Sequence, residues 1–205
     1  SYAVRSNGRY DCTDDAGYAT SSNGRYGCTN DGSHATRRDG RYGSDAYGND
    51  ATTSDGWIYV IGGYTGPPHD YYMEEQQRDF YRINLHDRSH VEWLPNEHRI
   101  QSCSLEAHDG SIYRIGGMVA LNRKDEDQAL DSLDAVWKFD PSHQSWSVAT
   151  NLPEPRSSHD SAVAGSKIVV VGGWRMDGIT GERAWHDDVL VMDLDAPDTG
   201  WQSLK

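Results

Sequence analysis

The nonapeptide DGWIYVIGG, residues 55–63, belongs to two patterns at once. Its Asp55-Gly56 is the last beat of a polar repeat that fills the N-terminal quarter of the chain. Its remainder is the first of three apolar runs closed by Gly-Gly: WIYVIGG (57–63), SIYRIGG (111–117) and KIVVVGG (167–173), which start 54 and 56 residues apart. A β-branched run ending in a glycine pair reads as a buried strand followed by a close backbone approach.

Working forward from each pair, Gly62-Gly63, Gly116-Gly117 and Gly172-Gly173, the same order recurs. A long polar loop is followed by a second strand: DFYRINL (79–85), AVWKFD (135–140) and DVLVMDL (188–194). A short strand with a tryptophan follows, and Trp93, Trp146 and Trp201 lie 30, 29 and 28 residues after the second glycine. LPNEHR (94–99) and LPEPR (152–156) then lead into the next unit. Asp55-Gly56 aligns with Asp109-Gly110 and Gly165-Ser166, so it is the turn between the first two strands of a unit. The strand before it should resemble SLEAH (104–108) or SAVA (161–164) but reads NDATTS (49–54), polar and in the register of the N-terminal repeat. The repeat is thus expected to have overwritten the first strand of the first unit.

These residues resemble the kelch repeat over 53–205, most closely at Phe139-Asp140-Pro141, Trp146, Pro153, Arg156 and His159. DFYRINL and LPEPRSSHD (152–160) also resemble a bacterial kelch subgroup without an assigned reaction. The resemblance implies an all-β fold, a partial kelch β-propeller of about three four-stranded blades over 53–100, 101–156 and 157–205. On that frame the six glycines allow close blade approach. Trp93, Trp146 and Trp201 are expected to fill the space between blades, and Arg156 to stack or form a salt bridge across a blade boundary. Rings of this kind close with more than three blades. The reading therefore expects either a longer chain or self-association of two chains to complete one propeller.

Residues 1–52 obey a different rule. Cut every eight residues from Asn7, the chain has Gly second in six of seven octads, and a 16-residue period repeats Arg9-Tyr10, Arg25-Tyr26 and Arg41-Tyr42. Asn-Gly and Asp-Gly favour type I′ hairpin turns, which allows a meander of short hairpins or a small solenoid. One Val and six Tyr, with no Leu, Ile, Met, Phe or Trp, bury little area. A low-complexity, disordered leader is the reading favoured by composition. Cys12 and Cys28 hold equivalent octad positions, and whether they pair in a disulfide stays open.

Net charge is −13, of which −12 falls in 53–205. Such a surface repels phosphate backbones and acidic membranes, so nucleic acid is not an expected partner. No apolar run reaches the length of a membrane span. The bacterial resemblance tips the expected compartment towards the periplasm or the cell exterior.

The loops after the glycine pairs, 64–78, 118–134 and 174–187, should emerge on one face of a propeller. They carry the candidate binding residues His69, Asp70, Tyr71, Tyr72, Glu74, Trp174, Arg175, Trp185 and His186. Aromatic and charged side chains together suit a protein or glycan partner. Galactose-oxidase-like enzymes and sialic-acid epimerases share the fold, but the tyrosines and histidines here fall outside the oxidase motifs, and no acid/base pair can be placed. DEDQALD (125–131) lacks the spacing of an EF-hand loop. No phosphate-binding loop or nucleophile elbow occurs. The sequence therefore points to a non-enzymatic binding scaffold without cofactor or metal, with a fragment of a carbohydrate-active enzyme as the alternative.

Overall fold

The computed structural model describes residues 4–6, 9–11, 25–28, 35–38, 50–67 and 69–204, the segments up to Asp50 as backbone alone. In the first of these, β1 (Val4–Ser6) pairs antiparallel with β2 (Arg9–Asp11), and β3 (Arg25–Cys28) with β4 (Ala35–Arg38). Cys12 lies outside the described residues, and the Cys12–Cys28 pairing with it.

Three antiparallel sheets follow, each built in chain order. The first is β5 (Asp50–Ser54), β6 (Trp57–Ile61), β7 (Phe80–Asn84) and β8 (Val91–Trp93). The second is β9 (Ser104–His108), β10 (Ser111–Ile115), β12 (Leu130–Asp140) and β13 (Ser145–Arg156), with β11 (Met118–Ala120) laid on the start of β12. The third is β14 (Asp160–Ala164), β15 (Lys167–Val171), β18 (Val189–Asp193) and β19 (Gln202–Leu204). Between β15 and β18 stands a separate hairpin, β16 (Trp174–Met176) with β17 (Arg183–Trp185). The first strands of the three sheets lie side by side, with β9 between β5 and β14. This is the arrangement of three neighbouring propeller blades.

Asp55-Gly56 and Asp109-Gly110 have positive φ at both residues (50° and 79°, 45° and 69°), as a two-residue type I′ hairpin turn requires. The polar NDATTS stretch does not break the blade. Asp50–Ser54 pairs with Trp57–Ile61 in unbroken register from Asp50↔Ile61 to Ser54↔Trp57. The octad repeat has changed the side chains of this strand and not its backbone pairing, and its two threonines are β-branched residues that suit a pleated strand.

The second blade buries both faces of its central strands, one against each neighbour. Tyr59, Ile61 and Phe80 of the first blade meet Leu105, Ile112 and Phe139 of the second. Tyr113, Ile115 and Val136 leave the other side of the second blade to meet Ile168, Val170, Leu190 and Met192 of the third. Phe80 and Phe139 touch edge to face at 4.8 Å, and the ring of Trp146 lies 5.0 Å from each. Trp146 also donates its indole N–H to Pro95 O of the first blade at 2.8 Å. Burying one aromatic of this size removes roughly 150–250 Å² from water, worth about 4–6 kcal/mol before entropy is subtracted.

The tryptophans are not equivalent in environment. Trp146 and Trp201 pack against the blade that precedes their own. Trp93 is 51% exposed and packs on Tyr81 within its own blade. The reason is positional: each unit's tryptophan leans back towards the preceding blade, and among the described residues the first sheet has none before it.

The glycine pairs serve the junctions. In each blade the first glycine N–H donates to the segment that carries the third strand: Gly62 to Asp79 O and Gly172 to Asp188 O, one residue ahead of β7 and β18, and Gly116 to Ala135 O within β12. Gly116 has φ of 51°, and a Cβ there would sit 2.5 Å from Arg156 O, a backbone atom that cannot step aside. Gly116→Ala is therefore expected to lower stability by about 2–4 kcal/mol. Gly200→Ala has a similar φ of 70° with nothing within 4 Å and is expected to cost about 1–2 kcal/mol. Urea unfolding of the two variants checks this, and equal midpoints would contradict it.

Candidate functional site: the loop face after the glycine pairs

The structure brings the loops after the three glycine pairs to one face, in corresponding positions. Tyr64, Met118 and Trp174 each follow a glycine pair, and each pairs across its loop with a returning residue: Gln76, Ser132 and Trp185. In the first two blades that returning residue is buried and polar, and it clasps the next blade. Gln76 Oε1 accepts the Ala120 N–H at 2.8 Å, and its Nε2 donates to Met118 O at 3.2 Å. Ser132 Oγ accepts the Met176 N–H at 3.0 Å and donates to Trp174 O at 3.2 Å. In the third blade the place belongs to Trp185, which is 79% exposed.

Beneath these clasps the three loops share one apolar cluster. Met118, Ala120, Leu130 and Met176 are buried, with Tyr71 and Trp174 packed against them. Two bonds tie the first two loops: the Met73 N–H donates to Asn122 O at 2.9 Å, and the Asn122 side-chain Nδ2 donates to Tyr71 O at 3.0 Å. Loops held this way are preorganised.

The candidate residues do not fall into a single group. Tyr71 and Trp174 meet in the shared cluster. His69, Asp70 and Glu74 are exposed on the first loop, where Gln128 Nε2 reaches His69 O at 3.2 Å. The Asp70 carboxylate accepts from the Tyr72 hydroxyl and pushes that phenol up to about 12. On the third loop, Trp185 stacks flat on Trp174, with ring centroids 5.1 Å apart and planes 14° apart. Arg175 lies 3.8 Å from Glu182 of the same hairpin.

His186 belongs to a cleft of about 420 Å³ between the end of β13 and the third blade, lined by Glu154, Arg156, Trp185, Asp187, Asp188 and Trp201 among others. His186 Nε2 donates to Pro155 O at 3.1 Å, and its Nδ1 lies 3.8 Å from Glu154. Arg156 is buried at the floor. It donates to Gly172 O at 3.0 Å and pairs with Asp188 at 2.8 Å, joining the second blade to the third. That guanidinium holds the Asp188 carboxyl below the usual carboxylate range.

A second polar group crosses between the first strands of the second and third blades. Ser161 Oγ donates to Glu106 Oε1 at 2.6 Å and lies 2.8 Å from Ser104 Oγ, which lies 2.9 Å from His159 Nε2. Each hydroxyl has one proton. If Ser161 gives its proton to Glu106, then Ser104 gives its own to Ser161 and His159 Nε2–H donates to Ser104. Burial raises the Glu106 pKa and lowers that of His159 to about 4, with the Arg156 charge adding to the second effect.

Among the described residues no group of three or more His, Cys, Asp or Glu is placed to hold a metal ion, and no helix is long and apolar enough to cross a membrane. Cys103 is buried one residue ahead of β9. Sequence reasoning missed Gln76, Ser132, Glu154 and Asp187. Loop lengths differ between blades, so spacing carried no signal for the first two. Glu154 and Asp187 meet only through the fold.

A family model for the kelch motif matches residues 101–153. Over 71 residues the chain is 35% identical to an F-box/kelch-repeat protein of Arabidopsis thaliana, covering 35% of this chain and 13% of that protein. It is 28% identical over 119 residues to human Kelch-like protein 35, covering 52% of this chain and 19% of that protein. It is 27% identical over 144 residues to human Kelch repeat and BTB domain-containing protein 12, covering 66% of this chain and 22% of that protein. The chain thus spans about a fifth or less of the length of these curated relatives. The solved structure of YjhT superposes with a TM-score of 0.57 at 18% identity, over 91% of this chain and 64% of that one, and shows a shared fold.

The Glu106–His159 group generates a pH prediction. An imidazole at about 4 in the folded state, against an ordinary value of 6.5, leaves the unfolded chain binding more protons between those values. Stability should fall as pH drops from about 7 to 4, by up to about 3 kcal/mol from this group. Urea unfolding across that range should show a shallower pH slope in His159→Gln. Parallel slopes in the two proteins would contradict the assignment.

Proposed function

We propose that this chain, a kelch-repeat protein, is a non-enzymatic binding scaffold that docks a protein partner on its third-blade loop. One observation carries this reading. Trp185 occupies the place where Gln76 and Ser132 clasp the next blade, yet it is 79% exposed and held rigidly against Trp174. The same hairpin carries Ile179, 88% exposed at its tip. Large apolar side chains kept in solvent on a braced loop have the character of interface anchors. Preorganisation lowers the ordering cost of association. The acidic surface favours partners with basic character.

Self-association is supported by a different surface. Val169, Val171 and Val189 hold the positions through which the first two blades bury Tyr59, Ile61 and Phe80, or Tyr113, Ile115 and Val136, against their neighbours. In the third blade these valines are half-buried or exposed, with Val171 at 47%. The face is the right kind to receive a further kelch blade.

A photoreactive amino acid at position 179 should crosslink one defined partner in the native cell extract, and Trp185→Ala should abolish that product. A crosslinker at Val148, exposed on the β13 edge, should not give it. The same products from both positions, or turnover of free hexoses or N-acylhexosamines by the purified protein, would overturn the reading.

A further inference from the structure

We infer that the cleft beside Trp185 is a receptor for a single basic side chain, an arginine or lysine carried on a partner's peptide segment. This rests on the scaffold reading above and names the chemistry that the scaffold recognises. Three observations meet at this place.

The first is an aromatic platform. Trp185 lies flat on Trp174, so one ring face is braced from behind while the residue stays 79% exposed. A braced indole is the best side-chain surface for a cation.

The second is uncompensated negative charge. Glu154, Asp187 and Asp188 line the cleft, and its one permanent cation, Arg156, is consumed by Asp188 and Gly172 O. The Glu154 side chain is 56% exposed, and its ionic neighbour His186 lies 3.8 Å away, beyond hydrogen-bond reach. Asp187 is exposed. Arg183, two residues before Trp185 on β17, does not line the cleft, and among the described residues no lysine or arginine lies over the Trp185 ring.

The third is that the molecule contains the same arrangement already filled. In the first blade the Arg82 guanidinium sits 4.2 Å over the Trp57 ring and donates to Glu92 Oε2 through Nε and Nη2 at 2.8 and 2.6 Å. Aromatic face, carboxylate and cation are all supplied by one blade. The cleft beside Trp185 offers the tryptophan and the carboxylates, and its one permanent cation, Arg156, is already paired. A cleft of about 420 Å³ admits one long side chain and its flanking backbone. A polyhydroxyl ligand would also find carboxylates here, but the net negative charge of the lining and of the chain favours a cation.

The probe is the peptide acetyl-Gly-Arg-Gly-amide, with its neutral citrulline isostere as control. Binding to the full chain is read by titration calorimetry and by the indole N–H resonance of Trp185. The arginine peptide is expected to bind and to shift that resonance, and the citrulline peptide to bind at least tenfold more weakly. Trp185→Ala should weaken binding at least tenfold, and Asp187→Asn and Glu154→Gln each roughly threefold to tenfold. All three positions are exposed or partly so, and an unchanged urea midpoint separates lost recognition from lost folding. The exposed Asp198→Asn, outside the cleft, should bind normally. Equal binding of both peptides, equal loss in Asp198→Asn, or cleft binding of cellobiose but not of the arginine peptide would overturn the inference. If the peptide fails while the crosslink from position 179 survives, the inference falls alone; if both fail, the scaffold reading falls with it.

Discussion

The apposition of one blade face on the next governs the molecule. A four-stranded sheet whose central strands are apolar on both sides cannot hide them by itself, so each blade is stable only when sandwiched. Phe80, Phe139 and Trp146 form the densest point of the first junction. At the second, aliphatic side chains share the work with the Arg156–Asp188 pair. The paired glycines and the loop clasps are consequences of holding two sheets this close.

The loop face follows from the same constraint. Neighbouring blades that pack tightly bring their loops together, and the sequence equips those loops to join. Gln76 and Ser132 differ in length and chemistry, yet each satisfies one backbone donor and one carbonyl of the blade beyond. Leaving those groups buried and unpaired would cost about 1–3 kcal/mol each. Trp185 departs from that pattern, and the departure separates a structural position from one presented to solvent.

Much of the fold was legible in the sequence because its signals are tied to backbone geometry. The three glycine pairs hold positive φ at the blade junctions, and the tryptophans recur at nearly constant distance because strand lengths are fixed. The first strand was harder to read. DATTS lacks apolar alternation, but a strand that borrows its register from β6 needs only pairing groups and an unobtrusive side-chain set. The loops were illegible in detail: Gln76, Ser132 and Trp185 stand 13, 15 and 12 residues after the second glycine, so no period marks them. Trp174, Trp185 and His186 could be picked out by type. Their partition between a shared cluster, a stacked platform and a cleft wall depends on which strand end each one occupies.

The claim that unites fold and site is that the three loops form one braced face. Amide hydrogen exchange on the intact chain tests it most directly. Met73 donates its N–H to Asn122 O of the second loop and Met176 to the buried Ser132 hydroxyl, while Met118 and Trp174 tie their loops down to Gln101 O and Ser157 O at the entry to their own blades. These N–H groups should exchange as slowly as the amides of β10 and β15. Exchange at the rate of Ser89 or Ser142, whose N–H groups sit in exposed turns, would mean that the loops move independently, and would contradict the account.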